Sequence, residues 1–199
     1  MSDAGSFADL LRRVRTGDAD ATQELWRQYE PLLRREVRLR LRDPSLRRLF
    51  DENDVCQSVM ASFFVHATAG QFDLDGPEQL RQLLTRMGRN KLATQARRHR
   101  AQRRDYRRVG RFAEGEAGET PGAEPTPSQT VAWEEILQAF RDRLDAEERQ
   151  LADLRALGRS WADIAAEMGG SPDGRRVQLN RAVARVSQEL GLAGVDDDE

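Results

Sequence analysis

The sequence of 199 residues holds one cysteine, Cys56, and two histidines, His66 and His99. A single thiol excludes an internal disulfide and a cysteine-rich zinc site. Two imidazoles leave little for a histidine-based metal centre, so no metal, cofactor or small-molecule substrate is expected. No apolar run approaches the ~20 residues of a membrane span; the densest, Val59 to Val65, is interrupted by Ser62. Met1 to Phe7 has no basic start followed by an apolar core. No secretory signal is therefore expected, and the chain reads as cytoplasmic. A glycine-rich loop followed by Lys-Ser or Lys-Thr is missing, so nothing supports nucleotide hydrolysis. Lysine is nearly missing as well: of 32 basic residues only Lys91 is not arginine. Composition of a GC-rich genome is the plain explanation. Chemically, though, arginine grips phosphates and guanine edges bidentately and lysine does not.

The charge is balanced only on average. Against 32 basic residues stand 34 acidic ones, a formal net charge of −2, which at face value argues against nucleic acid. From Met1 to Phe112 the net charge is +8, and from Ala113 to Glu199 it is −10. Arg81 to Arg111 alone carries 12 basic residues and one acid, Asp105. Such a stretch is an electrostatic footprint suited to nucleic acid.

Helix is the only period present. Leu10, Leu11 and Val14, then Leu25, Tyr29, Leu32, Leu33, Val37 and Leu41, recur at i, i+3, i+4. No segment alternates as a half-buried strand would, and no internal repeat is evident. Glu114 to Thr130, EGEAGETPGAEPTPSQT, has almost nothing to bury and reads as a flexible acidic linker. The sequence therefore predicts an all-α chain of two small helical domains, 7–112 and 131–192. A linker at 113–130 joins them, and an acidic tail follows at 193–199. Gly70 to Pro77 reads as a loop, and Pro77 as the first residue of a long helix.

Residues 158–190 carry the strongest local motif. Ser160 caps a short helix with apolar positions Trp161, Ile164, Ala165 and Met168. Gly169-Gly170 turns the chain; Ser171 caps the next helix and Pro172 opens it. This is the helix-turn-helix pattern, whose second helix enters the DNA major groove. Leu179, Ala182, Val183, Val186 and Leu190 share one stripe of that helix. Asp173, Gly174, Val177, Gln178, Arg181 and Arg185 point away, and Arg176 lies on the flank. Arginine and glutamine suit guanine and adenine edges. An ordinary helical hairpin with a solvated arginine face is the bland alternative.

Two further helices stand out. Over Pro77 to Arg111, Arg86, Arg89, Asn90, Arg97, Arg100, Arg104, Arg107, Arg108 and Arg111 fall within a stripe about 100° wide. Leu80, Leu84 and Met87 face elsewhere. The stripe is either a phosphate-tracking surface or a solvated basic tail. In Asp51 to Val65, Val55, Cys56, Val59, Met60 and Phe63 line one face. Asp54, Gln57, Ser58 and Ala61 line the other, which suits docking; a plain core helix is the alternative. Cys56 reads as a buried small hydrophobe.

The ordered set FADLLRRVRTGDADATQELWRQYEPLLRRE, DENDVCQSVMASFF, QLRQLLTRMGRNKLATQARRHR, acidic linker and helix-turn-helix resembles the bacterial extracytoplasmic-function (ECF) sigma factors. They belong to the housekeeping-type sigma superfamily, and the similarity runs from Phe7 to Leu192. The resemblance implies a non-enzymatic subunit that binds core RNA polymerase and directs promoter-specific transcription initiation. It implies that the helix at Asp54, Val55, Gln57, Ser58 and Ala61 docks on the clamp helices of the largest subunit. The flap of polymerase is a further implied contact. The loop Gln71 to Gln79 and the following helix would read and melt the minus-ten element. Phe72, Arg86, Arg89, Asn90, Lys91, Arg97, Arg98, Arg100 and Arg104 are the implied DNA contacts there. Ser171, Gly174, Arg175, Arg176, Val177, Gln178 and Arg181 would read the minus-thirty-five element. Phe72 and Leu80 stand where the family often has aromatics. The linker would thread through polymerase channels, and many members have an anti-sigma partner. The sequence departs from the family at Thr94, usually acidic, and at Arg175, usually apolar.

Two rival readings differ in class. One is an autonomous helix-turn-helix regulator that binds a palindrome as a dimer. The other is a metal-dependent nuclease using Asp51, Glu52 and Asp54, for which no second cluster of ligands provides two-metal spacing.

Overall fold

The computed structural model describes residues 3–41, 47, 50–109 and 127–192. All eight elements among them are helices, as the periodicity predicts. Four belong to the first half. Helix α1 (Asp3–Arg15) buries Phe7, Leu10, Leu11 and Val14 along one stripe. The chain turns at Gly17, whose φ of 82° suits glycine. Asp18 then caps α2 (Ala19–Arg40) by accepting the Ala21 N–H at 2.9 Å, and Arg13 donates to its carboxylate at 3.0 Å. Leu25, Trp26, Tyr29, Leu33 and Val37 form the inner stripe of α2. Asp51 caps α3 (Glu52–Thr68) by accepting the Asn53 N–H at 2.7 Å. Pro77 opens α4 (Pro77–Val109), and Leu80, Leu84 and Met87 pack inward as expected.

The second half supplies α5 (Pro127–Arg143), α6 (Ala146–Ala156), α7 (Trp161–Met168) and α8 (Pro172–Glu189). Each of the last three has a polar cap. Asp145 and Glu148 form a capping box on α6, each side chain accepting from the other residue's backbone N–H. Ser160 caps α7 and Ser171 caps α8. The segment expected as linker to Thr130 gives up its last residues to α5: Pro127 serves as a first helical residue, where its missing N–H costs nothing. Residues 110–126, the tail 193–199 and the side chains of Arg98, Arg100, Arg104, Arg107 and Arg108 lie outside the described residues. So does Arg111.

The two halves meet on α3. Val59 to Ala67 is buried without a break, so the two-faced reading of this helix needs correction. Val55, Cys56, Val59, Met60, Phe63 and Phe64 belong to a core shared with α1, α2 and α4. Ala61 and Val65, with Ala69 just beyond, belong to a second core shared with Phe140, Leu151, Ile164, Leu179, Val183 and Val186. Helix α5 links the two cores. Its Trp133 enters the first, with ring centroids 4.7 Å from Trp26 and 5.4 Å from Phe64, while Phe140 sits in the second. Burying one such large apolar side chain contributes about 1.5–3 kcal/mol.

Candidate nucleic-acid interface

Helix α8 begins at a built turn. Gly169 and Gly170 have φ values of 78° and 85°, the left-handed region that a side chain would strain. Ser171 Oγ accepts the Gly174 N–H at 3.0 Å. From this start, Leu179, Ala182, Val183 and Val186 turn inward and are buried. Gly174, Arg176, Val177 and Arg181 stay exposed, with Val177 at 41 % although it is apolar. Gly174, Val177, Gln178 and Arg181 border a shallow groove of about 570 Å³ together with Glu148 and Asp173. Arg176 pairs with Asp173 at 3.3 Å.

Arg175 is placed differently from the expected DNA contact. Its guanidinium folds back, with the side chain 13 % exposed. Nε donates to the Gly169 carbonyl at 2.8 Å and Nη2 to the Met168 carbonyl at 2.6 Å. Nη1 donates to Glu147 Oε1 at 2.6 Å and to Gln178 Oε1 at 2.8 Å. The arginine thus satisfies two carbonyls left open at the end of α7 and ties the turn to α6. Gln178 is tied in too: its Nε2 donates to Glu147 Oε2 at 2.8 Å. These bonds, from Arg175 first and Gln178 second, hold the Glu147 carboxyl below its ordinary range. A guanidinium solves what an apolar residue could not here, because the site contains backbone acceptors.

The second surface lies where the 70–77 loop meets α4. Gln71, Phe72, Asp73, Leu74, Gln79, Gln82, Leu83 and Arg86 surround a groove of about 410 Å³. The Phe72 ring stacks on Phe63, 5.6 Å between centroids and 4° between planes, and on His66 at 5.8 Å. Arg15 donates to the Phe72 carbonyl; burial pulls the Arg15 guanidinium below its ordinary range. Gln79 Oε1 accepts the Asp75 N–H at 2.8 Å and fixes the loop before the helix. Arg86, Arg89 and Arg97 are exposed on α4, and Asn90 is half-buried. Lys91, expected on this surface, is buried at 6 % exposure, one helical position from the exposed stripe. Leu80 is fully buried and therefore belongs to the core instead of the groove. Thr94, also buried, accepts from Arg97 Nη2 at 3.0 Å.

On α3, Asp54 is exposed, and Gln57 and Ser58 are half-buried. Val55 and Ala61, expected beside them on a docking face, are core residues of the first and second clusters. The start of the helix is braced by Glu52, which accepts from Arg38 at 2.9 Å. Asp51 is committed to its cap, and among the described residues no group of three His, Cys, Asp or Glu side chains could hold a metal. Burial pushes the Cys56 thiol up to about 12, as befits an inert core residue. No helix among the described residues is long and apolar enough to cross a membrane.

Some residues that organise these surfaces left little trace in the sequence. Arg155 is the clearest: Nη2 donates to the Gly70 carbonyl at 3.1 Å, and its guanidinium lies 4.7 Å over the Trp161 ring. Gly70 was a readable signal for it. A Cβ there would come within 2.7 Å of the Arg155 backbone, and its φ is 63°. Gln71 and Asn180 gave no signal, yet Gln71 Nε2 donates to Asn180 Oδ1 at 3.0 Å across 109 residues of sequence.

An all-helical chain with an arginine-rich helix and a capped, glycine-turned helix pair is of the DNA-binding transcription-factor class. A family model described as ECF sigma factor matches residues 4–191, and the chain belongs to that family. It is a sigma factor of transcription initiation, in a family of transcription factors and not of enzymes. No curated relative and no solved structure matches it.

Proposed function

We propose that this sigma factor docks on the clamp helices of core RNA polymerase through Asp54, Gln57 and Ser58 of α3. It then reads two promoter elements. The upstream, minus-thirty-five element is met by Ser171, Gly174, Arg176, Val177, Gln178 and Arg181, through base edges and phosphates. The carrying observation is that this face of α8 is open, with apolar Val177 exposed at its centre, while the opposite stripe is buried. An exposed valine suits the thymine methyl group. The downstream, minus-ten element lies along Arg86, Arg89, Asn90 and Arg97. An unstacked base enters the groove beside Phe72, whose ring is already held by Phe63 and His66. Flipping a base costs a few kcal/mol, and stacking with hydrogen bonds to its edge offsets that without ATP.

The test is selection of promoters from a random pool by the protein with core polymerase, followed by transcription. Two shared sequence elements at fixed spacing are expected. Arg176→Glu with Arg181→Glu should erase the upstream element while polymerase binding stays intact. Failure of the wild-type protein to direct any specific initiation would sink the proposal. Binding to a palindrome without polymerase would favour an autonomous regulator.

A further inference from the structure

Helix α8 opens with a carboxylate among its exposed side chains. Asp173 borders the same shallow groove as Gly174, Val177, Gln178 and Arg181. It heads the row Asp173, Val177, Arg181, spaced four residues apart, so the three side chains lie one above another on one face. Its side chain is 89 % exposed, and Arg176 lies 3.3 Å from it. The other carboxylate of the groove, Glu148, is already committed. It accepts the Asp145 N–H in the α6 capping box and pairs with Arg185 at 2.7 Å, with its side chain 14 % exposed. Asp173 has no such enclosure. A carboxylate facing DNA phosphates is repelled, and it gains only where it faces base edges that donate.

We propose that Asp173 is a specificity-determining residue for the upstream element and that it works as one unit with Arg176. This rests on the two-element reading proposed above. A carboxylate is an acceptor only, with room for about four hydrogen bonds, and Arg176 occupies part of that capacity. In the major groove the donor that suits the remainder is the amino group of cytosine. A guanidinium carries its donors in a rigid fork. With one side held by Asp173, the other side of Arg176 is turned to guanine O6 and N7, the bidentate contact arginine makes. The pair therefore presents an acceptor beside a donor, and the matching edge is that of a G·C pair or of two neighbouring ones. Gly174, next to Asp173, has no side chain to stand between the carboxylate and the bases. An acid in the first turn of a helix also stabilises that helix, so the deciding readout is base preference and not stability.

Selection of promoters from a random pool by the full chain with core polymerase, repeated with two variants, tests this. Asp173→Ala should lower the cytosine preference at one upstream position about tenfold and weaken the guanine preference beside it, with the downstream element unchanged. Asp173→Asn should move the first position from cytosine to adenine, because an amide pairs with adenine N6 and N7. The downstream element, selected through α4, reports that each variant folds and binds polymerase. Unchanged base frequencies in the Asp173→Ala pool would overturn the assignment. So would an equal gain in affinity for every sequence, the mark of an acid that only repels phosphate. A wild-type upstream element holding no G·C pair would overturn it too. A wild-type pool with no upstream element at all would instead sink the two-element reading, and this inference with it.

Discussion

Arg86 and Arg89 of α4 and most of the arginines of α8 meet opposite fates. Among the described residues, Arg86 and Arg89 of α4 are exposed with no carboxylate within ion-pair distance. On α8, Arg175 pairs with Glu147, Arg176 with Asp173, and Arg185 with Glu148 and Glu189. A segment with twelve basic residues and one acid cannot neutralise itself, so its cations are left for an outside polyanion. The second half, with its acidic surplus, spends most arginines on its own architecture and leaves Arg181 as its open cation. Phosphate affinity should therefore come mainly from α4, and sequence preference from the exposed face of α8, where Val177 and Gln178 lie beside Arg176 and Arg181.

The largest effect expected from this contrast is on α4. Arg86→Glu with Arg89→Glu should weaken DNA binding on the order of a hundredfold at low salt and make the logarithmic salt slope shallower by about two. An unchanged slope in a salt titration would break the contrast. Next comes Arg175→Met, which strands the Met168 and Gly169 carbonyls and leaves the Glu147 carboxylate with Gln178 alone. A loss of about 2–3 kcal/mol in urea unfolding is expected. If DNA affinity fell while stability held, Arg175 would belong with Arg86 as a phosphate contact. A smaller effect, about 1 kcal/mol, is expected for Ser171→Ala through loss of the α8 cap. Restoration by Asn or Asp at this position, but not by Val, would mark the cap as the cause.

The smallest effect is a pH dependence. The Glu147 carboxyl is held low in the folded protein, so its bonds stabilise folding above its ordinary unfolded pKa and are lost as pH falls through the folded one. Glu78 behaves likewise, held at about 2 by Arg81 first and Gln82 second, so its window runs from about 4.5 down to about 2. Both groups are exposed, and solvent screens them. Acid unfolding of Glu147→Gln should begin with less stability and then fall less than wild type as pH drops below the ordinary carboxylate range. Parallel curves would show that Glu147 is not coupled to folding.

Much of this was legible in the sequence. The caps at Ser160 and Ser171, the first-position prolines Pro77 and Pro172, the glycine turn and the inner stripe of α8 all follow from local rules acting within a few residues. Lys91 was harder, because its neighbours are basic and a shift of about 100° per residue separates an exposed position from a buried one. Arg175 was harder still. Its place on the core-facing stripe follows from helical phase, but its partners, the carbonyls at 168 and 169 and Glu147, 28 residues earlier, do not.

By itself the sequence determined the helical class, most of the places where helices start, and the segregation of charge behind a net of −2. Those are properties of short windows, where backbone hydrogen bonding and side-chain period decide the outcome. The tertiary structure alone decided that α3 is covered from both sides, that Trp133 enters the first core, and that Gln71 meets Asn180. A small or apolar residue on a helix face records that something covers it and not which distant segment does. That choice is made by the whole-chain competition to bury surface, and here it sets Gln71 beside Asn180.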